Sequence, residues 1–403
     1  MIEARLRAFL SERQGLNHFE TQSSATILAS RGWARTVGGA NPYLTFFARN
    51  QATRMEVDSD VAKLEIHEFA SARGCTYLLP AKHFQVGIKC GQGFNADSAI
   101  RTAKSKLGVT DKEIYALKEG ILAALQSGPL GASDFKSALG NLYQNFGEAG
   151  KKVGQTSNVS LGLLALQAEA KIRRIPSDGR LDGQSYSYSL FENAPIVDDS
   201  FPQAEAFKEL AALYWQWCGF ASMAHFQWFS GLGVKAAQAA AEHLGLVRLE
   251  GTALLGLPRT IDEYREFSEP EEPVFRLVSG LDSLFLLRRD LSLHLDATEQ
   301  GLDVLSQGKL SNLGALNDLS THAIADRGRI VGLWEYDFDG REIVWVSFVG
   351  KPPALLTEID RVQAFIQKEL SDARSFSLDS PKSRQPSLAR LRELSQSASG
   401  DLR

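Results

Sequence analysis

The residues with the clearest chemical potential lie in the stretch Val37–Arg49, which reads VGGANPYLTFFAR. Gly38–Gly39 and Asn41–Pro42 predict a sharp bend, because glycine admits unusual backbone angles and the residue before a proline avoids helical ones. An aromatic and apolar run with helical spacing follows at once. A bend at the head of a helix presents backbone N–H groups and the carboxamide of Asn41, which suits it to hold a water molecule or an anion. A turn that merely begins a core helix is the alternative.

Charge is distributed unevenly along the 403 residues, whose formal net charge is −4. Residues 1–180 hold 23 Lys and Arg against 16 Asp and Glu, a balance of +7, so −4 minus 7, or −11, falls on residues 181–403. A basic first half indicates a surface that binds the phosphates of a nucleic acid. Random clustering of solvated charge explains the same count without a function.

Several classes of protein are excluded by motifs that the sequence lacks. Cys75, Cys90 and Cys218 form no CxxC pair, so neither a disulfide framework nor a zinc site is predicted, and His322 has no second ligand at metal spacing. The sequence contains no GxSxG, HExxH, phosphate-binding loop or dinucleotide fingerprint. No secretory signal or membrane-spanning run is predicted. The expectation is a cytoplasmic monomer that works without metal or cofactor.

The elements that must position these residues follow a repeated pattern of helices and then paired strands, which begins near Met1, Asp111 and Gln203. It predicts domains 1–110, 111–200 and 201–272. Residues 273–374 read as strands with tight turns, and the residues 375–403, rich in Ser, Arg and Pro, as a flexible tail. The predicted fold class is α+β, mainly helical, with three tandem winged-helix domains and a small C-terminal antiparallel β-barrel.

The bend resembles the signature of the winged-helix DNA glycosylases of the AlkZ/YcaQ type. Members of that family carry Gln-x-Gln or Gln-x-Asp before an aromatic helix that ends in Ala-Arg. Here the motif falls on Gly39, Ala40 and Asn41, so the first glutamine is missing and the second polar residue is one methylene shorter.

Three other stretches carry the resemblance further along the chain. In Arg73–Phe84, Tyr77 stands where the family has a histidine, and Lys82–His83 stand where it has an acidic pair. The sequence Trp228–Leu232 is similar to the family's Trp-Ser-Gly-Leu. Asp282, with Arg288 and Arg289, resembles its Ser-Pro-Phe-Asp-Pro-Leu and Arg-Arg-Arg element.

The resemblance implies a monofunctional glycosylase that hydrolyses an N-glycosidic bond in double-stranded DNA. Such an enzyme exposes the nucleotide, holds a water molecule beneath C1′ and helps the base to leave. The implied catalytic residues are Asn41 and Tyr77. The implied pocket residues are Gly39, Ala40, Tyr43 and His83. The expected DNA-binding residues are all cationic: Lys82, Arg49, Arg173, Arg174, Arg180, Arg288 and Arg289.

The departures at Gly39 and Asn41 predict a roomier pocket than the family's glutamines would leave. That favours a bulky modified base, such as a glucosylated cytosine of bacteriophage DNA, and a role in defence against phages. Two alternatives stay open at this stage. One is a glycosylase that repairs alkylated purines or crosslinks, and the other is a winged-helix protein that binds DNA without catalysis.

Overall fold

The computed structural model describes residues 4–183 and 185–400, with side chains as far as Ser397. The fold is mixed, with many helices and several small antiparallel sheets. The residues 401–403 of the expected tail lie outside the described residues.

The first part of the chain places the bend between a short strand and a long helix. Its helices are α1 (Ala4–Arg13), α2 (Ser24–Arg31), α3 (Asn41–Asn50), α4 (Arg54–Ala62), α5 (Phe84–Gly91) and α6 (Asn95–Leu107). Its strands are β1 (Ala34–Arg35), β2 (Ile66–Ala70) and β3 (Thr76–Pro80), which form an antiparallel sheet in the order β1-β3-β2. The predicted strand that Pro80 ends, followed by a helix, is confirmed.

The second part of the chain contains the hairpin that the alternation of tyrosines predicts. Its helices are α7 (Asp111–Leu125), α8 (Phe135–Leu139), α9 (Gly147–Lys152) and α10 (Val159–Ala168). The strands β4 (Leu130–Gly131), β5 (Ile172–Pro176) and β6 (Tyr186–Leu190) form a sheet in the order β4-β6-β5. The third part comprises α11 (Gln203–Cys218), α12 (Met223–Ser230), α13 (Val234–Ala241), α14 (Pro258–Glu266) and the short strand pair β7 (Val247–Arg248) and β8 (Leu255–Gly256). That these parts are winged-helix domains, with the boundaries given above, stays a prediction.

The C-terminal part has an open sheet where the sequence predicts a barrel. Its strands are β9 (Phe275–Val278), β10 (Asp303–Ser306), β11 (Lys309–Asn312), β12 (His322–Asp326), β13 (Arg329–Asp337) and β14 (Glu342–Ser347). Its helices are α15 (Ser283–Leu286), α16 (Ala297–Gln300), α17 (Pro353–Phe365) and α18 (Pro381–Gly400). Four strands pair in the order β14-β13-β12-β9, so β9 and β14 are edges and the sheet does not close. The β10–β11 hairpin pairs apart from it.

The expected flexible tail is folded onto this sheet over its described residues. Helix α18 lies against β13 and β14 and buries Leu388 and Leu391 in a core shared with both strands. The composition of this segment predicted a flexible tail because Leu388 and Leu391 are surrounded by many serines and arginines. The sheet that these leucines pack against comes from an earlier part of the chain. Burial of those leucines offsets the entropy cost of ordering the segment.

The bend helix belongs to the same core as the C-terminal sheet. Tyr43 and Phe46 of α3 are fully buried among residues that include Leu277 of β9, Trp334 of β13 and Val362 of α17. The first and last parts of the chain therefore hold the bend together.

Candidate active site

Helix α3 begins at Asn41 directly after the bend, with Pro42 in its first turn and no side chain capping its N-terminus. Proline is tolerated there because the first N–H groups of a helix have no partner within it. Asn41 is 1 % exposed, and its Nδ2 donates a hydrogen bond of 2.6 Å to the carbonyl oxygen of Arg35 on β1. Its Oδ1 is buried and accepts no hydrogen bond from the described residues. A buried carbonyl oxygen of this kind is a natural acceptor for a water molecule.

A segment from the far end of the chain closes over the bend. We call residues 374–377 the covering segment. The N–H of Ala40 donates to the carbonyl oxygen of Arg374 at 2.9 Å, and the N–H of Ser377 donates to the carbonyl oxygen of Val37 at 2.8 Å. Arg374 Nη2 also donates to the carbonyl oxygen of Asp182 at 2.6 Å. In this conformation the covering segment therefore lies on the backbone of the bend.

The two glycines of the bend allow this close approach. A Cβ at Gly39 would stand 2.5 Å from the carbonyl oxygen of Arg374 and closer still to that of Ser375. A Cβ at Gly38 would stand 2.8 Å from the Cβ of Ser377. The φ of Gly38 is +69°, in the left-handed region that favours glycine. In this conformation the protein's own backbone therefore occupies the space beside Gly39, and the roomier pocket stays a prediction.

Replacing Gly39 with alanine is expected to push the covering segment off the bend, because backbone atoms cannot turn aside as a side chain can. The expected cost in unfolding free energy is about 1–3 kcal/mol, as for other overpacked sites. Hydrogen–deuterium exchange at Ala40 and Ser377 should rise. The matched control is Gly233→Ala, where a Cβ has no neighbour within 4 Å. Equal exchange at these two amides in both variants would contradict the steric role of Gly39.

Tyr43 is buried and ties the bend helix to two other parts of the chain. Its hydroxyl donates to Asp58 Oδ1 at 2.5 Å and accepts from the N–H of Leu181 at 2.8 Å. Burial, together with the hydrogen bond to Asp58, raises its pKa well above the ordinary value for tyrosine. The side chain is a neutral structural link in this conformation, rather than an exposed wall of a pocket.

Tyr77 and His83 lie together around Trp33, one strand away from the bend. Tyr77 is opposite Arg35 in the pairing of β1 with β3, and the guanidinium of Arg35 lies 5.4 Å from its ring centre. His83 Nδ1 accepts a hydrogen bond of 3.1 Å from Trp33 Nε1. Burial, with the nearby charge of Lys82, lowers the pKa of His83 to about 4, and burial raises that of Tyr77. Both side chains are therefore neutral at pH 7.

A family model described as "DNA glycosylase AlkZ-like" matches residues 31–363, which include the bend and helix α3. The chain belongs to the AlkZ-like DNA glycosylase family. It is thus a DNA N-glycosylase by family, and DNA is its substrate. Among solved structures, Streptomyces sahachiroi DNA glycosylase AlkZ is similar in fold, with a TM-score of 0.66 and 17 % sequence identity. The match covers 93 % of this chain and 98 % of that one. A search of curated protein sequences found no significant match.

Two of the cations expected to bind DNA are buried inside this AlkZ-like fold. Arg49 is 0 % exposed and pairs with both carboxylate oxygens of Asp282 at 2.8 Å. Arg288 is 1 % exposed and donates to the carbonyl oxygens of Cys218 and Phe220. Neither side chain is available to a phosphate. Their types alone could not reveal this, because Asp282, Cys218 and Phe220 lie 68 or more residues from the arginines that they contact.

The other cations differ in how far internal partners neutralise them. Arg180 pairs with Asp182 at 2.6 Å, Arg289 with Asp318 at 2.5 Å, and Arg174 with Glu68 at 3.2 Å. Lys82 is exposed and Arg173 is partly exposed, and neither side chain has a hydrogen bond or ion pair among the described residues. Phosphate binding by these two residues stays a prediction.

Neither a metal site nor a membrane span is found in the described part of the chain. Residues 4–183 and 185–397 contain no group of three or more His, Cys, Asp or Glu side chains that could hold a metal ion. His322 instead lies against Trp334 and has its Nε2 2.8 Å from the carbonyl oxygen of Ala373. No described helix is long and apolar enough to cross a membrane.

Sequence reasoning missed the residues that cover the bend. The sequence places Arg374 at the end of the domain 273–374 and Ser375 at the start of the tail, because serine and arginine are common in linkers. The only usable signal was Gly38–Gly39 itself, since paired glycines also mark a close approach of another backbone.

Proposed function

We propose that the chain hydrolyses the N-glycosidic bond of a bulky modified base in double-stranded DNA and leaves an abasic site. The observation that carries the proposal is the unpartnered Oδ1 of Asn41 at the head of α3, in a chain of the AlkZ-like family. The amide oxygen would accept a hydrogen bond from the attacking water. A carboxamide is a weak base, so the base must also be a good leaving group or be assisted as it leaves.

Access to Asn41 requires an open state in which the covering segment has left the bend. The described contacts that hold it include two backbone hydrogen bonds and the bond from Arg374 to the carbonyl oxygen of Asp182. Each net hydrogen bond contributes only about 0.5–1.5 kcal/mol, so insertion of an extruded nucleotide can displace the segment. Once it moves, the absence of a side chain at Gly39 leaves room for a base larger than a methylated purine.

We infer that a glucosylated cytosine of phage DNA is such a base, which would give the protein a role in defence against phages. The test is a panel of duplexes that carry glucosylated hydroxymethylcytosine, hydroxymethylcytosine, methylated purines or only ordinary bases. Abasic sites are scored after incubation with the full-length protein. Release from the glucosylated duplex alone supports the proposal. Release only from methylated purines identifies a repair glycosylase, and no release from any duplex contradicts catalysis at this bend.

Replacing Arg173 with alanine is expected to weaken DNA binding and to lower the slope of log affinity against log salt by about 0.9, the loss of one phosphate contact. The matched comparison is Arg174→Ala on the same strand. Arg174 pairs with Glu68, and its guanidinium lies 4.0 Å from the ring centre of Tyr186, so its loss should change the slope less. Equal slopes for Arg173→Ala and the wild-type protein would show that β5 faces away from the DNA.

A further inference from the structure

A solvent-open cavity of about 420 Å³ with polar and apolar lining residues includes Ser375 and Phe376 of the covering segment in its wall. We call it the serine cavity. It is bordered by the β10–β11 hairpin, the loop before β12, and the chain from Ser375 into α18. Its volume is within the range of small-molecule binding sites.

Part of the cavity wall carries serine hydroxyl groups that form no internal hydrogen bond with any residue that the structure describes. Ser306, Ser320, Ser375 and Ser387 line the cavity, and none of their hydroxyls has a hydrogen-bond partner among the described residues. Each hydroxyl can both donate and accept. These hydroxyl groups therefore suit a ligand with several groups that can both donate and accept hydrogen bonds.

The inner end of the serine cavity is a buried ion-paired cluster. Arg384 is 6 % exposed, donates to both oxygens of Asp372 at 2.8 and 2.9 Å, and lies 3.5 Å from Glu335. Its Nε is buried and has no partner in the described part of the chain. Burial raises the pKa of Glu335 to about 7 despite that arginine, so this carboxyl group can donate or accept near neutral pH.

Charge and shape narrow the class of ligand. Three carboxyl groups, of Asp318, Glu335 and Asp379, line the cavity against one cation, Arg384, so no excess of positive charge is present to hold a phosphate or another anion. The hydroxyl walls disfavour an apolar ligand, since their groups would lose hydrogen bonds to water. Phe376, 45 % exposed, also lines the cavity and offers an aromatic face. A neutral polyol with one apolar face, which is the chemistry of a hexose ring, fits these conditions.

The serine cavity and the bend share one wall. The carbonyl oxygens of Arg374 and Ser375 face Gly39, while Ser375 and Phe376 also line the cavity. Ser375 therefore contributes to both places. A base that displaces residues 374–375 from Gly39 could therefore carry a substituent that reaches the cavity, because its walls at Ser306, Ser320 and Ser387 belong to other elements.

We propose that the serine cavity is a binding site for a neutral sugar and receives the glucosyl group of a base whose nucleotide lies at the bend. The assignment of the sugar to a base rests on the function proposed above. The cavity would then supply selectivity, because a site that hydrogen-bonds hydroxyl groups rejects a substrate that lacks them.

The test compares the dissociation constants of duplexes with glucosylated hydroxymethylcytosine and with hydroxymethylcytosine, measured by fluorescence anisotropy. The wild-type protein should bind the glucosylated duplex at least about tenfold more tightly. Ser387→Phe fills the cavity and should weaken binding of the glucosylated duplex alone. The two dissociation constants should then become equal. Phe376→Ala, at the exposed rim, should reduce the preference roughly three- to tenfold.

The matched control is Leu378→Ala, two residues beyond Phe376. Leu378 is 90 % exposed and does not line the cavity, so this variant should keep the full preference. Thermal unfolding shows whether the Ser387→Phe variant is folded. If that variant is unfolded, the result for Phe376→Ala tests the sugar site. Equal binding of both duplexes by the wild-type protein, or a preference that both cavity variants keep, would overturn the sugar site. Binding does not require catalysis, so a protein that releases no base can still pass or fail this test.

Discussion

Replacing Asn41 with alanine is expected to reduce base release by at least about 100-fold, the usual effect of removing one polar group that acts on the transition state. The amide oxygen is the only group of the bend's side chains that can accept a hydrogen bond from a water molecule, since Gly38, Gly39 and Ala40 have none. DNA affinity should stay within severalfold, because the side chain is buried away from the expected phosphate contacts. Release is measured as abasic sites under single-turnover conditions.

The matched control for this experiment is Asn50→Ala at the other end of the same helix. The amide of Asn50 also bonds to backbone, donating to the carbonyl oxygen of Gln22 at 2.8 Å. Each variant loses one bond to a carbonyl oxygen, at a stability cost of about 1 kcal/mol. The control also loses the bond that Asn50 Oδ1 accepts from the N–H of Ala52 at 3.1 Å. Only Asn41→Ala should lose activity. Full activity in Asn41→Ala, or an equal loss in Asn50→Ala, would remove Asn41 from catalysis.

Replacing Arg49 with alanine is expected to lower the free energy of unfolding by about 3–5 kcal/mol, because it leaves the buried carboxylate of Asp282 without its cation. Arg49 also donates to the carbonyl oxygens of Gln14 and Thr45 and to Ser283 Oγ, so these acceptors lose their partner as well. Urea-induced unfolding measures the change.

Two controls distinguish the loss of a buried ion pair from the loss of an exposed one. Arg265→Ala removes an exposed pair with Asp262, whose side chains are 73 % and 69 % exposed, and should cost no more than about 1 kcal/mol. The double variant Arg49→Ala with Asp282→Ala should cost less than the sum of its two single variants. A stable Arg49→Ala protein with a reduced salt dependence of DNA binding would instead restore Arg49 as a phosphate contact.

Local structure was predictable from local patterns. The strand that ends at Pro80 and the hairpin of β5 and β6 appear where proline, glycine and alternating tyrosines indicate them. Contacts between distant parts of the chain were not predictable from such patterns. The charge of Arg49 says nothing about whether Asp282 lies beside it, and the glycine pair says nothing about which segment approaches. The site prediction therefore located the bend but not its cover, and it overstated how many arginines face solvent.

Helix α3 packs against a sheet that begins more than 200 residues later in the chain, and the bend bonds to Arg374. Contacts of such separation form late, because the intervening chain must be synthesised and its loops closed first. On the ribosome, the bend therefore takes its final shape only when synthesis has passed Ser377. A truncated chain that lacks residues 374–377 would therefore leave the bend uncovered.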